Sequence, residues 1–323
     1  MHTSTTTTAA KVSALTKRYG SHTAVSDVTF EIPSGAVVGL IGPNGAGKTT
    51  VMKAMLGLVG PTAGSVELLG ARVGSAGWGS TLHRVGAMIE APPIYQRMTA
   101  RENLQLQAIS VGLSATSPRI DEILKLVDLY DRADDRARGY SLGMKQRLGI
   151  GVTLIGRPEL VILDEPANGL DPAGIREIRR LLRRLPEDGT TVLVSSHQLA
   201  EVQQACDSLV VLANGRTIVE GSTTEILDAH QVDAFDIEIE APAITAALDA
   251  LALAGARVGA NGTTLAVEPP AGWTGTDLNK ALVAAGVYAE SIARQTVSLE
   301  AAFLEMTENA SSESTPALIG ASS

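Results

Sequence analysis

A run of small residues, ending in lysine and threonine, follows the apolar residues 36–41. The run reads Gly42, Pro43, Asn44, Gly45, Ala46, Gly47, Lys48, Thr49 and Thr50. Glycines at this spacing let backbone N–H groups turn inward around phosphate oxygens, the lysine reaches the β and γ phosphates, and the next hydroxyl ligates magnesium. A helix beginning near Lys48 would add the positive end of its dipole. We therefore predict a nucleotide-binding phosphate loop, rather than a glycine-rich turn without a ligand.

A second apolar segment, residues 160–163, ends in two adjacent carboxylates, Asp164 and Glu165. Mg²⁺ at a nucleotide site is held by one or two carboxylates together with the phosphates. Asp164 is therefore a candidate metal ligand with Thr49, and Glu165 is a candidate for polarising the attacking water. The alternative, a solvated strand end, is disfavoured because a phosphate loop is present in the same chain.

Three further motifs and an upstream aromatic residue connect these segments to a family. They are Tyr140-Ser141-Leu142-Gly143-Met144-Lys145-Gln146-Arg147 (the signature segment), Asn168-Gly169-Leu170-Asp171-Pro172 (the D-loop), Ser195-Ser196-His197, and Tyr19. In order and spacing, the whole set resembles the ATP-binding subunits of ABC transporters over about residues 11–230.

The resemblance implies a role for each matching residue, with ATP and Mg²⁺ as cofactors. Tyr19 would stack on adenine, and the phosphate loop would hold the phosphates. Lys48 and magnesium would draw charge from the β and γ oxygens while Glu165 orients water. His197 would contact the γ-phosphate, whereas the other four histidines, His2, His22, His83 and His230, lie in no comparable context.

The signature segment implies a partner. In the family it completes the ATP site of the opposite subunit, so Ser141 and the backbone of Gly143 would present donors to the γ-phosphate, ahead of a helix beginning near Lys145. The chain has one phosphate loop and one signature segment. A head-to-tail dimer of two copies with two shared ATP sites follows from the resemblance.

The sequence departs from the family pattern in two places, at Glu90 and in the signature segment. Glu90 stands where the family usually has glutamine, and a carboxylate can ligate magnesium or water but cannot donate an amide hydrogen bond. The signature segment has Leu142 for glycine and Met144 for glutamine. Together these departures resemble the bacitracin and lantibiotic resistance branch of bacterial ABC exporters.

The elements that must position these residues follow an α/β pattern, with strand-like and helical segments alternating from Val12 to about Ala229. The expected fold is a P-loop NTPase of ABC type. It has a mostly parallel core sheet, with strands at 37–41, 160–163 and 191–194, and an inserted helical subdomain at about 99–154. A capping box, Thr99 with Glu102, begins that subdomain.

A change in composition predicts a small C-terminal α/β domain at 234–308. Its order of strand, helix, two strands, helix and strand resembles a ferredoxin-like unit. A last helix at 299–306 is either an amphipathic helix that closes this domain or a regulatory, dimer-supporting segment. Residues 1–10 and 309–323 are expected to be disordered tails.

Composition excludes several classes of protein. The chain has 323 residues, 45% of them hydrophobic, and a net charge of −9. This acidic balance argues against nucleic acid as a partner, which requires basic surface. The single cysteine, Cys206, excludes an internal disulfide and is expected in the core. No apolar stretch is long enough to span a bilayer, so a transport function requires a separate permease.

The sequence favours an ATP-hydrolysing subunit that binds a multi-span permease at the cytoplasmic face of the membrane and drives export of a peptide antibiotic or drug. Two alternatives remain open. One is a soluble ABC ATPase that acts as a mechanical switch on ribosomes or DNA. The other is an ATPase–permease pair that senses an antibiotic without moving it.

Overall fold

The computed structural model describes residues 8–229 and 234–295. These residues divide into two compact units, the first ending at Glu225 and the second beginning at Ile226. The sequence placed this change slightly later, between 230 and 234. Each unit has its own hydrophobic core and is described separately.

The first unit combines two β-sheets with helices. Its strands are β1 (Thr8–Tyr19), β2 (His22–Pro33), β3 (Val37–Ile41), β4 (Ala63–Leu68), β5 (Ala71–Arg72), β6 (Val85–Met88), β7 (Leu160–Leu163), β8 (Thr191–Ser196), β9 (Ser208–Ala213) and β10 (Arg216–Ser222). Its helices are α1 (Lys48–Met55), α2 (Trp78–Leu82), α3 (Ala100–Ser110), α4 (Arg119–Leu126), α5 (Leu142–Leu154), α6 (Pro172–Arg184) and α7 (Leu199–Ala205), and α8 (Thr223–Ala229) crosses the boundary.

The central sheet carries the segments predicted to do chemistry. Among the described residues it has six strands in the order β10-β9-β3-β8-β7-β6, and every neighbouring pair except β9 with β10 is parallel. Strands β3 and β7 are buried at every residue because both faces of the sheet are covered. Since neighbouring parallel strands end at the same edge, the residues that follow β3, β7 and β8 meet there.

A second sheet, in the order β2-β1-β4-β5, is antiparallel and shares its core with the phosphate-loop helix. The β1–β2 hairpin pairs Tyr19 with His22 at its tip. The prediction that residues 1–10 form a disordered tail is wrong for its last three residues, 8–10. Strand β1 begins at Thr8, because Ala9 and Ala10 are buried in this core.

The inserted segment is helical, as expected, with α3, α4 and α5 packed against one another. Thr99 and Glu102 form the predicted capping box at α3. The predicted start of the next helix near Lys145 is wrong. Helix α5 begins at Leu142, because the Ser141 side chain accepts a hydrogen bond from the Met144 N–H at 3.3 Å and so acts as its N-cap.

The second unit contains β11 (Phe235–Ile239), α9 (Ile244–Leu253), β12 (Arg257–Asn261), β13 (Thr264–Glu268), α10 (Gly275–Ala284) and β14 (Ala289–Arg294). Its strands form an antiparallel sheet in the order β12-β13-β11-β14. Alternate residues of β11 and β13 are buried with both helices in one core. This arrangement agrees with the ferredoxin-like order inferred from sequence. The predicted helix at 299–306 lies outside the described residues.

Cys206 lies directly after α7 and is buried, so it is a core residue at a helix end rather than inside the helix. Burial raises the pKa of its thiol to about 12, and the thiol therefore stays protonated at neutral pH. Across the described part of the chain, none of the helices combines the length and the apolar character that a bilayer crossing requires.

Candidate nucleotide site

The phosphate loop connects β3 to α1 at the carboxyl edge of the central sheet. Gly45 and Gly47 adopt φ values of +84° and +100°, which side chains rarely adopt. A Cβ on Gly47 would lie 2.4 Å from a methyl carbon of Val25, so the backbone passes too close to β2 for any other residue. Helix α1 begins at Lys48 without a side-chain cap, as expected for a helix whose first N–H groups face a ligand.

The side chain of Lys48 is 6% exposed and held by oxygen atoms alone. Its ammonium donates to the carbonyl oxygens of Gly42 at 2.8 Å and Pro43 at 3.2 Å. It also lies 3.3 Å from Oε1 of Glu165. A buried charge is tolerated only with such partners. The positive charge is therefore fixed beside the loop, where phosphate oxygens would bind.

Asp164 is fixed through both of its carboxylate oxygens. Thr49 Oγ1 donates to Oδ2 at 2.9 Å, and Ser195 Oγ donates to Oδ1 at 2.6 Å. Thr49 and Asp164, two of the three predicted metal ligands, thus lie in direct contact. Among the described residues no group of three or more His, Cys, Asp or Glu side chains forms a metal site. One carboxylate and one hydroxyl nevertheless fit Mg²⁺, which takes its remaining ligands from water and phosphate.

Ser195 is a site residue whose specific contacts the sequence did not predict. It is wholly buried at the end of β8, and its Oγ accepts the Glu165 N–H at 2.8 Å while donating to Asp164. Strands β7 and β8 are parallel neighbours, so the ends of both strands meet through this hydroxyl. The sequence shows two serines before His197, but the contact of Ser195 with Asp164 follows only from the pairing of β7 with β8.

Glu165 bridges the lysine and the histidine. Its Oε1 faces the Lys48 ammonium at 3.3 Å, and its Oε2 lies 2.5 Å from Nδ1 of His197. Its backbone has φ of +50°, which is uncommon for a non-glycine residue. The adjacent carboxylates therefore have separate partners, one with hydroxyl groups and the other with a cation and an imidazole.

Glu90 follows β6 and pairs with a residue that the sequence did not single out. Lys53, in the last turn of α1, places its Nζ 2.5 Å from Oε1 of Glu90. The hydrogen bond with Glu90 raises the pKa of the Lys53 ammonium, and the charges of Tyr19 and Asp164 add to this effect. Glu90 was predicted to ligate magnesium, and in the structure its carboxylate is already paired with the Lys53 ammonium.

A pocket beside the phosphate loop is lined by Tyr19, His22 and Ala24, together with residues 44–50 and Glu165. Tyr19 is 47% exposed, and its ring lies 5.0 Å from the Lys17 ammonium. Its position at the hairpin tip suits the predicted stacking on adenine. His22, to which the sequence gave no role, lines the same pocket because the hairpin register places it opposite Tyr19.

Ser141 and Gly143 lie apart from this pocket. Neither residue lines it, and in the described ranges no hydrogen bond joins Ser141 to residues 42–50. Ser141 is exposed. A Cβ added to Gly143 would have a nearest neighbour in Leu170 at 3.8 Å, which is ordinary van der Waals contact, and Gly143 is partly exposed.

Comparison with known proteins agrees with this geometry. The profile of the family described as ABC transporter matches residues 25–168. The bacitracin transport ATP-binding protein BcrA of Enterococcus faecalis is 43% identical over 218 residues, which cover 66% of this chain and 68% of the relative. The lantibiotic transport ATP-binding protein SrtF of Streptococcus pyogenes is 41% identical over 211 residues, which cover 65% of this chain and 89% of the relative.

Solved structures share the fold of the first unit. One of them is an ATP-binding cassette determined as a dimer in a post-hydrolysis state with ADP and phosphate. It is 27% identical, covers 66% of this chain and 98% of its own length, and has a TM-score of 0.59. The sequence motifs, the geometry of the site and the relatives lead to one conclusion: the chain belongs to the ABC transporter family, as an ATP-binding subunit that hydrolyses ATP.

Proposed function

We propose that this ATPase powers export of a peptide antibiotic or related drug through a separately encoded, multi-span permease, bound at the cytoplasmic face of the membrane. One observation carries the enzymatic part of the proposal. Asp164 is fixed by Thr49 and Ser195 while Glu165 spans Lys48 and His197, so the groups needed for phosphoryl transfer already converge. The names of the relatives support the cargo class.

The roles of the residues follow from their positions. Residues 42–50 bind the phosphates of ATP, and Tyr19 stacks on adenine. Thr49 and Asp164 hold Mg²⁺, with Glu90 as a further ligand, and the metal would neutralise charge on the β and γ oxygens when bound. Phosphoryl transfer depends mainly on positioning and charge, and the site supplies both.

Glu165 and His197 act on the attacking water and the γ-phosphate. Glu165 accepts a proton from the water and orients it, since its carboxylate lies beside Lys48 and therefore beside the phosphates. His197 contacts the γ-phosphate and fixes the direction of the Glu165 side chain through the contact between Nδ1 and Oε2. Both side chains are partly exposed at the same edge of the sheet.

The ATP site is completed by a second copy in a head-to-tail dimer. Ser141 and the Gly143 backbone donate to the γ-phosphate bound by the partner. Two observations support this proposal. Ser141 is exposed and neither it nor Gly143 lines the pocket beside the phosphate loop of the same copy, and a related cassette was solved as a dimer.

The enzymatic proposal is tested by ATP hydrolysis with the purified chain. Glu165→Gln should lower turnover by a factor of about 10² to 10⁴ and leave ATP binding intact, since the amide cannot accept the proton. Glu187→Gln, a change of the same type at an exposed residue after α6, should leave turnover unchanged. Equal turnover of Glu165→Gln and the unaltered chain would exclude Glu165 as the base.

The transport proposal is tested by purification from membranes. We expect a tagged chain to copurify with a small multi-span protein and to confer resistance to a peptide antibiotic. Recovery with ribosomes would favour the soluble alternative instead. Recovery with the permease and antibiotic-induced signalling without efflux would favour the sensing alternative.

A further inference from the structure

The Lys53–Glu90 pair joins the helix that follows the phosphate loop to the loop after β6. Lys53 lies one turn beyond Thr49 on α1, and Glu90 lies on the loop after β6. Their charged atoms are 2.5 Å apart. Lys53 and Glu90, which are 37 positions apart in sequence, thus form an ion pair. A glutamine at position 90, usual in the family that the sequence resembles, would carry no charge and could not form this ion pair.

The backbone around Glu90 restricts where its carboxylate can point. The Ala91 N–H donates to the carbonyl oxygen of Ile89 at 2.8 Å, which closes a three-residue turn with Glu90 at its centre. Glu90 has φ of +67°, so this is the rare, strained form of the turn. The turn therefore fixes the direction in which the Glu90 side chain leaves the backbone, and its carboxylate meets the Lys53 ammonium.

Lys53 also lies within the electrostatic field of the predicted metal ligand. The charge of Asp164 acts on its ammonium, in addition to the larger contribution from Glu90. A divalent cation beside Thr49 and Asp164 would therefore be repelled by Lys53, and it would compete with Lys53 for the oxygens of Glu90.

We propose that Lys53 is a positioning residue that competes with Mg²⁺ for the Glu90 carboxylate and so sets the Mg²⁺ concentration at which the ATP site fills. This inference rests on the proposed role of Glu90 as a metal ligand. The pair is partly exposed, with side-chain exposures of 31% for Lys53 and 66% for Glu90. The effect is therefore that of a surface ion pair, about two- to fivefold in metal affinity.

The test measures binding of Mn²⁺, a paramagnetic substitute for Mg²⁺, to the full chain with ATP, in the Glu165→Gln background so that the nucleotide is not consumed. Electron paramagnetic resonance gives the free Mn²⁺ and hence the midpoint of metal binding. Lys53→Met should lower this midpoint about two- to fivefold, because Glu90 is freed and the repulsion is removed. Lys53→Arg should restore the original midpoint, since it keeps the charge.

The ion pair between Lys11 and Glu31 provides a matched control. Lys11 and Glu31 form an exposed pair at 2.6 Å on the β1–β2 hairpin, so Lys11→Met removes the same kind of interaction away from the phosphate loop. Its midpoint should not change. ATP binding without metal, in EDTA, verifies that each variant is folded and binds nucleotide.

The double variant Lys53→Met with Glu90→Gln separates the possible outcomes. We expect Lys53→Met to have a clearly smaller effect once Glu90 is glutamine, because only the direct repulsion between Lys53 and the metal is then removed. If Lys53→Met has the same effect in both backgrounds, Lys53 acts directly on the nucleotide or metal and the inference is overturned. An unchanged midpoint in Lys53→Met also overturns the inference that Lys53 competes for Glu90. If the midpoint is at the same time raised in Glu90→Gln, Glu90 remains a metal ligand.

An unchanged midpoint in Glu90→Ala, which has no side-chain oxygen, would remove Glu90 from the metal site. The competition between Lys53 and Mg²⁺ would then be overturned together with that ligand. Hydrolysis that still depends on Glu165 would leave the ATPase assignment standing in every case. Failure of this inference can therefore be told apart from failure of the proposed function.

Discussion

The phosphate loop and its acidic strand differ from Ser141 of the signature segment in how many polar partners the side chains find within one copy of the chain. Lys48, Asp164 and Glu165 each have at least two polar partners from the same copy. Within residues 8–229 and 234–295, in contrast, the Ser141 side chain makes one hydrogen bond, which caps its own helix, and the residue is exposed. The difference indicates which half of the ATP site is prepared in a single copy and which half we propose is completed by the second.

The largest effect is expected from substitution of Asp164, a proposed metal ligand in the half of the site that one copy provides. Asp164→Asn should reduce Mg²⁺-dependent hydrolysis by about 100-fold or more, because the site loses a charged metal ligand and the bound metal would supply several kcal/mol of transition-state stabilisation. ATP binding in EDTA should be retained. Asp188→Asn, at an exposed position after α6, serves as the matched control. Retention of hydrolysis in Asp164→Asn would place the metal elsewhere.

A smaller effect, on folding rather than chemistry, is expected at Ser195. Ser195→Ala removes a donor to Asp164 and an acceptor for the Glu165 N–H, both buried or partly buried. Unpartnered polar groups at such sites cost about 1–3 kcal/mol in the free energy of unfolding. Urea denaturation measures this change. Ser34→Ala, at an exposed turn, should cost much less, and equal losses would show that the hydroxyl does not stabilise the site.

The smallest effect on stability, but a selective one on assembly, is expected at Ser141. Loss of an N-cap costs about 1 kcal/mol of folding stability, so Ser141→Ala and Thr99→Ala should lower stability similarly. Only Ser141→Ala should weaken ATP-dependent dimerisation, as measured by light scattering over a range of concentrations. Equal dimerisation of both variants would remove Ser141 from the shared site.

Much of the prepared half could be predicted from sequence because its signals are local. Strands β3 and β7 were predicted at their observed bounds, since apolar residues buried on both faces leave a continuous pattern. The observed start of α5 at Leu142 differs from the predicted start near Lys145, because Ser141 caps the helix through its side chain. The serine is a strong N-cap residue in its own right.

The contacts that could not be predicted are those between segments distant in sequence. Ser195 reaches Asp164 only because β7 and β8 are neighbours, and Lys53 meets Glu90 only because α1 and the loop after β6 converge. No periodicity or motif in either segment encodes its partner. The sequence identified one member of each pair as chemically important, and the fold supplied the other.

The central claim, that ATP binds between the prepared half of one copy and the signature segment of another, is tested most directly by the mass of the Glu165→Gln variant in solution. Size-exclusion chromatography with light scattering should show a monomer without nucleotide and a dimer with ATP and Mg²⁺, and Ser141→Ala in this background should shift the equilibrium back to monomer. A monomer at all ATP concentrations, or a dimer that forms equally without ATP, would contradict the claim.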